Sequence, residues 1–222
     1  MNLTKTERDD WLRSLYAWLP PKDFKDALDR LEAAQGDHLL TDPRAGFYRD
    51  AFCAHQFAVL AGADLVRLVA EERPDFQISI AGSEDFYEVT EADTPGRKRG
   101  WEVQERRKRR MPGQPFADDF PSTERLTPDQ ADVALRAAAE RKSRGVYDPN
   151  WGLVILLNPI EFGAHRQVIE DLMVSATAAA RNCFASVWVL WKGVGYNTWQ
   201  NGQAGRGKVV RFGRGTKVER ST

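Results

Sequence analysis

The sequence predicts an α/β domain, a mixed β-sheet flanked by helices, with a helical addition at its N-terminus. Three observations predict it. Arg73 to Ala92 reads as a β-hairpin: Phe76, Ile78 and Ile80 alternate with Gln77 and Ser79 before a turn-forming run from Ala81 to Asp85. Trp151 to Leu157 is nearly all apolar and bounded by turn residues, the pattern of a central strand buried on both faces. Helical periodicity brackets both, so that from residue 43 the elements run α-β-β-β-α-β-α-β.

Taken in order, Thr4 and Glu7 have the spacing of a capping box, with Trp11, Leu12, Leu15 and Leu19 following at helical intervals. Pro20-Pro21 ends that helix and opens a second, carried by Phe24, Leu28 and Leu31 and stopped by Gly36. Residues 1–42 therefore read as a helical hairpin and 43–222 as the main domain. Asp42 is the expected N-cap of a third helix, with Pro43 at its first position and an apolar stripe through Phe47, Ala51, Phe52, Ala58 and Val59 to Gly62. Leu65 to Val69 follows as a strand, then the hairpin, whose return strand spans Phe86 to Thr90.

Residues 93–126 lack apolar periodicity and hold Pro95, Pro112, Pro115 and Pro121, which predicts a long loop. Thr127-Pro128-Asp129-Gln130 opens the next helix by cap, proline and N3 glutamine. It continues through Val133, Ala134, Ala137 and Ala138 to Gly145. After the apolar strand, His165 to Arg181 is helical, with Val168, Ile169, Leu172, Met173 and Ala176 on one face. Ser186 to Trp191 is a further strand, and Val209 to Phe212 an edge strand within a basic tail, 203–222.

A chain of 222 residues, 42% hydrophobic and 29% charged, has the composition of a globular protein with one full core. Cys53 and Cys183 are far apart with no ligand spacing, and no apolar leader precedes the first helix; a reduced, cytoplasmic setting is expected. The longest apolar runs are too short for a bilayer, so no membrane partner is expected. Net charge is zero, yet residues 97–110 hold eight Lys or Arg against Glu102 and Glu105, and residues 206–222 hold six against Glu219. Such concentrated basic segments suit an anionic polymer.

On the return strand Phe86, Glu88 and Thr90 share one face, and Tyr87, Val89 and Glu91 the other. Asp75 enters the outgoing strand directly after Pro74, so Asp75 and Glu88 are predicted to meet at one end of the sheet. Carboxylate oxygens are hard donors suited to Mg²⁺ or Mn²⁺. Pro74-Asp75 followed thirteen residues on by Glu88-Val89-Thr90 resembles the motif of the PD-(D/E)XK nuclease superfamily, the restriction-endonuclease-like fold. The element order extends that resemblance over roughly residues 43–192. The departure is Thr90, which stands where the pattern has lysine.

The resemblance implies divalent-metal-dependent hydrolysis of nucleic-acid phosphodiester bonds, with DNA preferred over RNA. Asp75, Glu88 and the Val89 carbonyl would hold Mg²⁺ or Mn²⁺, and Asp50, on the helix before the first strand, would add a further acid. Lys142, in the last turn of the helix after the hairpin, looks like a relocated form of the missing lysine. His55 and Gln56 lie near enough to Asp50 along the helix to face the same site. Arg97, Lys98, Arg99, Arg106, Arg107, Lys108, Arg109 and Arg110 would contact phosphates, with Trp101 available for stacking. The alternative is a relative that keeps the fold without activity and acts in nucleic-acid binding or assembly. Gly202 to Lys208 has P-loop spacing, but Val209 replaces the Ser or Thr that would reach Mg²⁺. His38, His55 and His165 share no ligand spacing.

Overall fold

The computed structural model describes residues 3–36, 39, 42–93, 127–158, 165–200, 203–204 and 210–212. Its helices are α1 (Lys5–Leu15), α2 (Pro21–Gln35), α3 (Gly46–Ala61), α4 (Pro128–Ser143) and α5 (Arg166–Ala176). The strands are β1 (Leu65–Leu68), β2 (Phe76–Ile80), β3 (Ser83–Ala92), β4 (Gly152–Leu157), β5 (Ser186–Trp191) and β6 (Val194–Gln200), with short β7 (Gln203–Ala204) and β8 (Val210–Phe212). From residue 43 the described order is the expected α-β-β-β-α-β-α-β, to which β6 and β7 are added before the expected edge strand, β8.

The strands form one mixed open sheet in the order β1 to β7, with β8 also paired to β6. β1, β2 and β3 are antiparallel, β4 is parallel to both β3 and β5, and β6 returns antiparallel to β5. Parallel pairing requires a crossover, and α4 and α5 supply the two that the sequence order demands. β4 behaves as its apolar run predicts. Leu153, Ile155 and Leu157 join the core under α4 and α5, while Val154 joins the core shared with α1, α2 and α3. Helices thus cover both faces of the sheet.

The hairpin turns more tightly than its composition suggests. Ala81 (φ 51°) and Gly82 (φ 80°) alone make the bend, both in the left-handed region of a two-residue turn. Ser83, Glu84 and Asp85 therefore belong to β3, which runs to ten residues. Asp42 does not cap α3; it accepts from Arg44 N (2.9 Å) at a 3₁₀ turn, Pro43–Ala45, and from Leu3 N (3.0 Å). The apolar stripes hold at Ala51, Ala58, Ala134, Ala138, Ile169, Met173 and Ala176, which are buried, and differ at a few positions. Val59, Val133 and Val168 are exposed, whereas Cys53, Ala54 and Phe57 of α3 and Ala131, Leu135 and Ala139 of α4 are buried. Small residues buried on α4 let its backbone approach the sheet closely, and so decide which face turns inward. β6 was not legible in the sequence, because Gly195 and Asn197 interrupt its alternation.

The N-terminal helices share one hydrophobic cluster with α3 and β1. Leu19 also exchanges two backbone bonds with Val66 (3.1 and 2.8 Å), covering part of the free edge of β1. Among the described residues no helix is long and apolar enough to cross a membrane.

Candidate metal centre and its lysine

Three elements converge at the end of the β2–β3 hairpin. Register pairing of the two strands runs from Ile80↔Ser83 to Phe76↔Tyr87; one more backbone bond, Asp75 N to Tyr87 O at 3.0 Å, follows before Pro74, which lacks an N–H. Beyond it the carboxylate of Asp75 takes the place of a backbone acceptor: Val89 N donates to Asp75 Oδ2 at 2.6 Å. That bond turns the Asp75 side chain toward Glu88. Glu88 lies on the β3 face that looks toward α4, and is 2% exposed.

α4 brings the third group. Leu135, Ala138, Ala139 and Lys142 follow one another at helical spacing, and the first three are buried against the sheet. Lys142 therefore continues the inward face one turn further, and its side chain is only 18% exposed. Its Nζ donates to Glu88 Oε2 at 2.5 Å and lies 3.9 Å from Asp75 Oδ2. Lys142 thus stands beside both carboxylates. Attraction to the helix dipole alone would have left it in solvent.

α3 brings the fourth. Asp50, Ala54 and Phe57 lie at i, i+4 and i+7, and Phe57 packs against Tyr87 (4.6 Å between centroids), Trp188 (5.3 Å) and Phe76 (6.0 Å). Burying a phenylalanine contributes about 2–3 kcal/mol, and this anchor fixes the rotation of α3 about its axis. Asp50, two turns before it, faces the sheet beside Asp75. Burial, and next the Asp75 charge, push the Asp50 carboxyl up to about 7. Burial also raises Asp75, against the Val89 N–H and Lys142, which hold it down. Glu88 is raised by burial as well, opposed chiefly by its bond from Lys142.

Thr90 is 6% exposed, and its hydroxyl accepts from Arg141 Nη2 at 2.5 Å. The same guanidinium donates to the Glu91 carbonyl at 3.0 Å. The position of the motif lysine is thus covered by an arginine from α4. Glu91 points to the opposite face, as alternation requires, and pairs with Arg49 at 2.9 Å. His55 does not join the site. The charged groups it feels are Lys25 and Asp29 of α2, and burial lowers its pKa. Arg73, which sequence reasoning passed over, stands at the rim: its charge acts on both Asp75 and Glu88, and its Nη1 donates to Val146 O at 3.0 Å.

Arg97, Lys98, Arg99, Trp101, Arg106, Arg107, Lys108, Arg109 and Arg110 lie outside the described residues, as does most of the Gly202 to Lys208 segment. Among the described residues no group of three or more His, Cys, Asp or Glu is close enough to hold a metal ion. A pair of carboxylates is nevertheless a sufficient protein contribution for Mg²⁺, which keeps several waters. One observation fits a cation here: Glu88 Oε1 is buried and accepts no hydrogen bond among the described residues. Comparison with protein-family models, with curated proteins and with solved structures finds no match to this chain.

Proposed function

We propose that this chain is a divalent-metal-dependent nuclease of the restriction-endonuclease-like class, hydrolysing phosphodiester bonds of DNA in preference to RNA. The observation that carries the reading is the convergence of Asp75, Glu88 and Lys142 from the entry to β2, from β3 and from α4. Two acids and one lysine brought together from distant parts of the sequence are what phosphodiester hydrolysis needs: oxygen donors for a cation, and a compact ammonium for developing charge. Asp75, Glu88 and the Val89 carbonyl are the groups that would hold Mg²⁺ or Mn²⁺. Such a cation, when bound, would lower the pKa of water and offset negative charge on the phosphate.

The chain's own residues supply the rest. Lys142 balances the two carboxylates while no cation is bound, which keeps the pocket assembled. Its three N–H donors on a flexible stem let it turn to a phosphate oxygen once another charge takes over that duty. Asp50, with its raised pKa, is placed to accept a proton near neutral pH or to add a negative charge for the cation. Arg97 to Arg99 and Arg106 to Arg110 follow β3 in the chain and provide the phosphate-contacting charge in this reading.

One observation favours a second reading, an inactive relative that binds nucleic acid. Thr90 is engaged by Arg141 and cannot act as a cation. Incubation of purified protein with DNA decides between them. Cutting with Mg²⁺ or Mn²⁺, none with EDTA, and loss of cutting in Glu88→Gln with an unchanged melting profile support the nuclease. Robust cutting by Glu88→Gln overturns the site, and binding without cutting in either metal supports the inactive relative.

A further inference from the structure

We propose that Arg73, laid over the ring of Tyr147 at the rim of the carboxylate site, forms an anion subsite for one phosphodiester group of a nucleic-acid strand; this rests on the nucleic-acid reading above. The Arg73 guanidinium carbon is 4.8 Å from the Tyr147 ring centroid, and Nη1 donates to Val146 O at 3.0 Å. No carboxylate pairs with it among the described residues, and the residue is exposed. Of five N–H donors in a planar fork, one is committed to a described residue, and the rest have no partner among the described residues to compete with an anion.

The platform under it is firm. The Tyr147 ring packs on Phe184 (4.7 Å between centroids) and lies so close to Gly145 that a β-carbon there would come within 2.5 Å of it. Lys142 Nζ sits 5.7 Å from the same ring centroid. Two cations thus share one aromatic support. Lys142 is turned to Glu88 and Asp75, whereas among the described residues Arg73 donates only to a carbonyl. Being next to Pro74-Asp75 in the chain, Arg73 takes its position from the same strand entry that places Asp75.

The test uses the full chain, a fluorescently labelled DNA oligonucleotide in single-stranded and duplex form, and the variants Arg73→Ala, Arg73→Gln and Arg73→Lys. Arg13→Ala, an exposed α1 arginine away from the site, is the control. Arg73→Gln keeps a donor for Val146 while removing the charge, so the question stays answerable should Arg73→Ala fold poorly. Arg73→Ala and Arg73→Gln are expected to bind about tenfold to a hundredfold more weakly, as for loss of a charged hydrogen bond. Their log-affinity against log-salt slope should also be shallower by about one. Arg73→Lys should restore the slope but only part of the affinity, because the fork is lost. In Mn²⁺ the loss should appear in KM more than in kcat. Parental affinity and slope in folded Arg73→Gln overturn the subsite and leave the nuclease reading intact if cutting also persists. Arg73-dependent binding by a parent that never cuts upholds the subsite and removes the nuclease reading. A parent that neither binds nor cuts removes both.

Discussion

Lys142 places its Nζ 2.5 Å from Oε2 of Glu88, a residue 54 positions earlier in the chain. The pair is largely out of solvent, so neither partner tolerates the loss of the other well. Lys142→Ala should lower the cleavage rate by about a hundredfold or more, as for loss of one electrostatic contact in the transition state. DNA affinity should change little, and Lys142→Arg should rescue in part. Unfolding should also be easier by about 3–5 kcal/mol at pH 8, since Glu88 is left buried and unpaired. The sign follows from linkage. Without the lysine, Glu88 is raised further, so the stability deficit is full above that raised pKa and shrinks as pH falls through it. A parental cleavage rate in Lys142→Ala would end its catalytic role.

Asp50→Asn addresses the raised carboxyl. A group whose folded pKa, about 7, exceeds its ordinary 3.8 binds a proton more tightly when folded. Stability of the parent should therefore fall as pH rises from about 4 to about 7, and Asp50→Asn should not show that fall. At pH 8 the variant should be the more stable, with an upper limit of about 4 kcal/mol from the size of the shift. The difference should vanish near pH 3.8 and below. Thermal melts across this pH range measure it, and parallel curves would mean that Asp50 is not held near Asp75 in solution.

Thr90→Lys places a lysine where the PD-(D/E)XK pattern has one, yet the structure argues against a gain. Arg141 already occupies the space over Thr90, with Lys142 one position along the helix. A lysine there must displace the guanidinium and adds a third cation to the cluster. Reduced stability, by about 1–3 kcal/mol as for a crowded, poorly paired buried group, and no rise in cutting are expected. An active Thr90→Lys made from an inactive parent would show instead that the helix-borne lysine is no substitute.

Neutralising Arg106, Arg107, Lys108, Arg109 and Arg110 should weaken nucleic-acid affinity and flatten its salt dependence, because fewer counterions are released on binding. Titration of labelled DNA at several salt concentrations reads this directly. An unchanged slope would assign the run to solvent.

Much of the architecture was written locally. Alternation in Phe76 to Ile80, the apolar run of β4 and the caps at Thr4 and Thr127 each specify an element by interactions within a few residues, and the structure forms all of them. The candidate acids were legible for the same reason: Pro74-Asp75 and Glu88 sit on one hairpin, and pleat alternation alone assigns their faces. Details of the turn were less so, since Ala81 is not a residue that announces a left-handed conformation.

The sequence nominated Asp50 and Lys142 for that hairpin only through the family resemblance; local pattern could not decide which side chains from other elements would meet it. Lys142 and Arg141 are adjacent, and by pattern alone both are basic residues at a helix end. Burial of the alanine face of α4 rotates Lys142 onto Glu88 and Arg141 onto Thr90. In the same way the Phe57 anchor, not local pattern, turns Asp50 toward Asp75 and leaves His55 against α2. Arg73 gains its role only because Tyr147, 74 residues later, lies beneath it. Local pattern fixes the elements because its forces act over a few residues. The rotation of each helix against the sheet is set by close packing across the whole core, and that rotation selects which charges share the site.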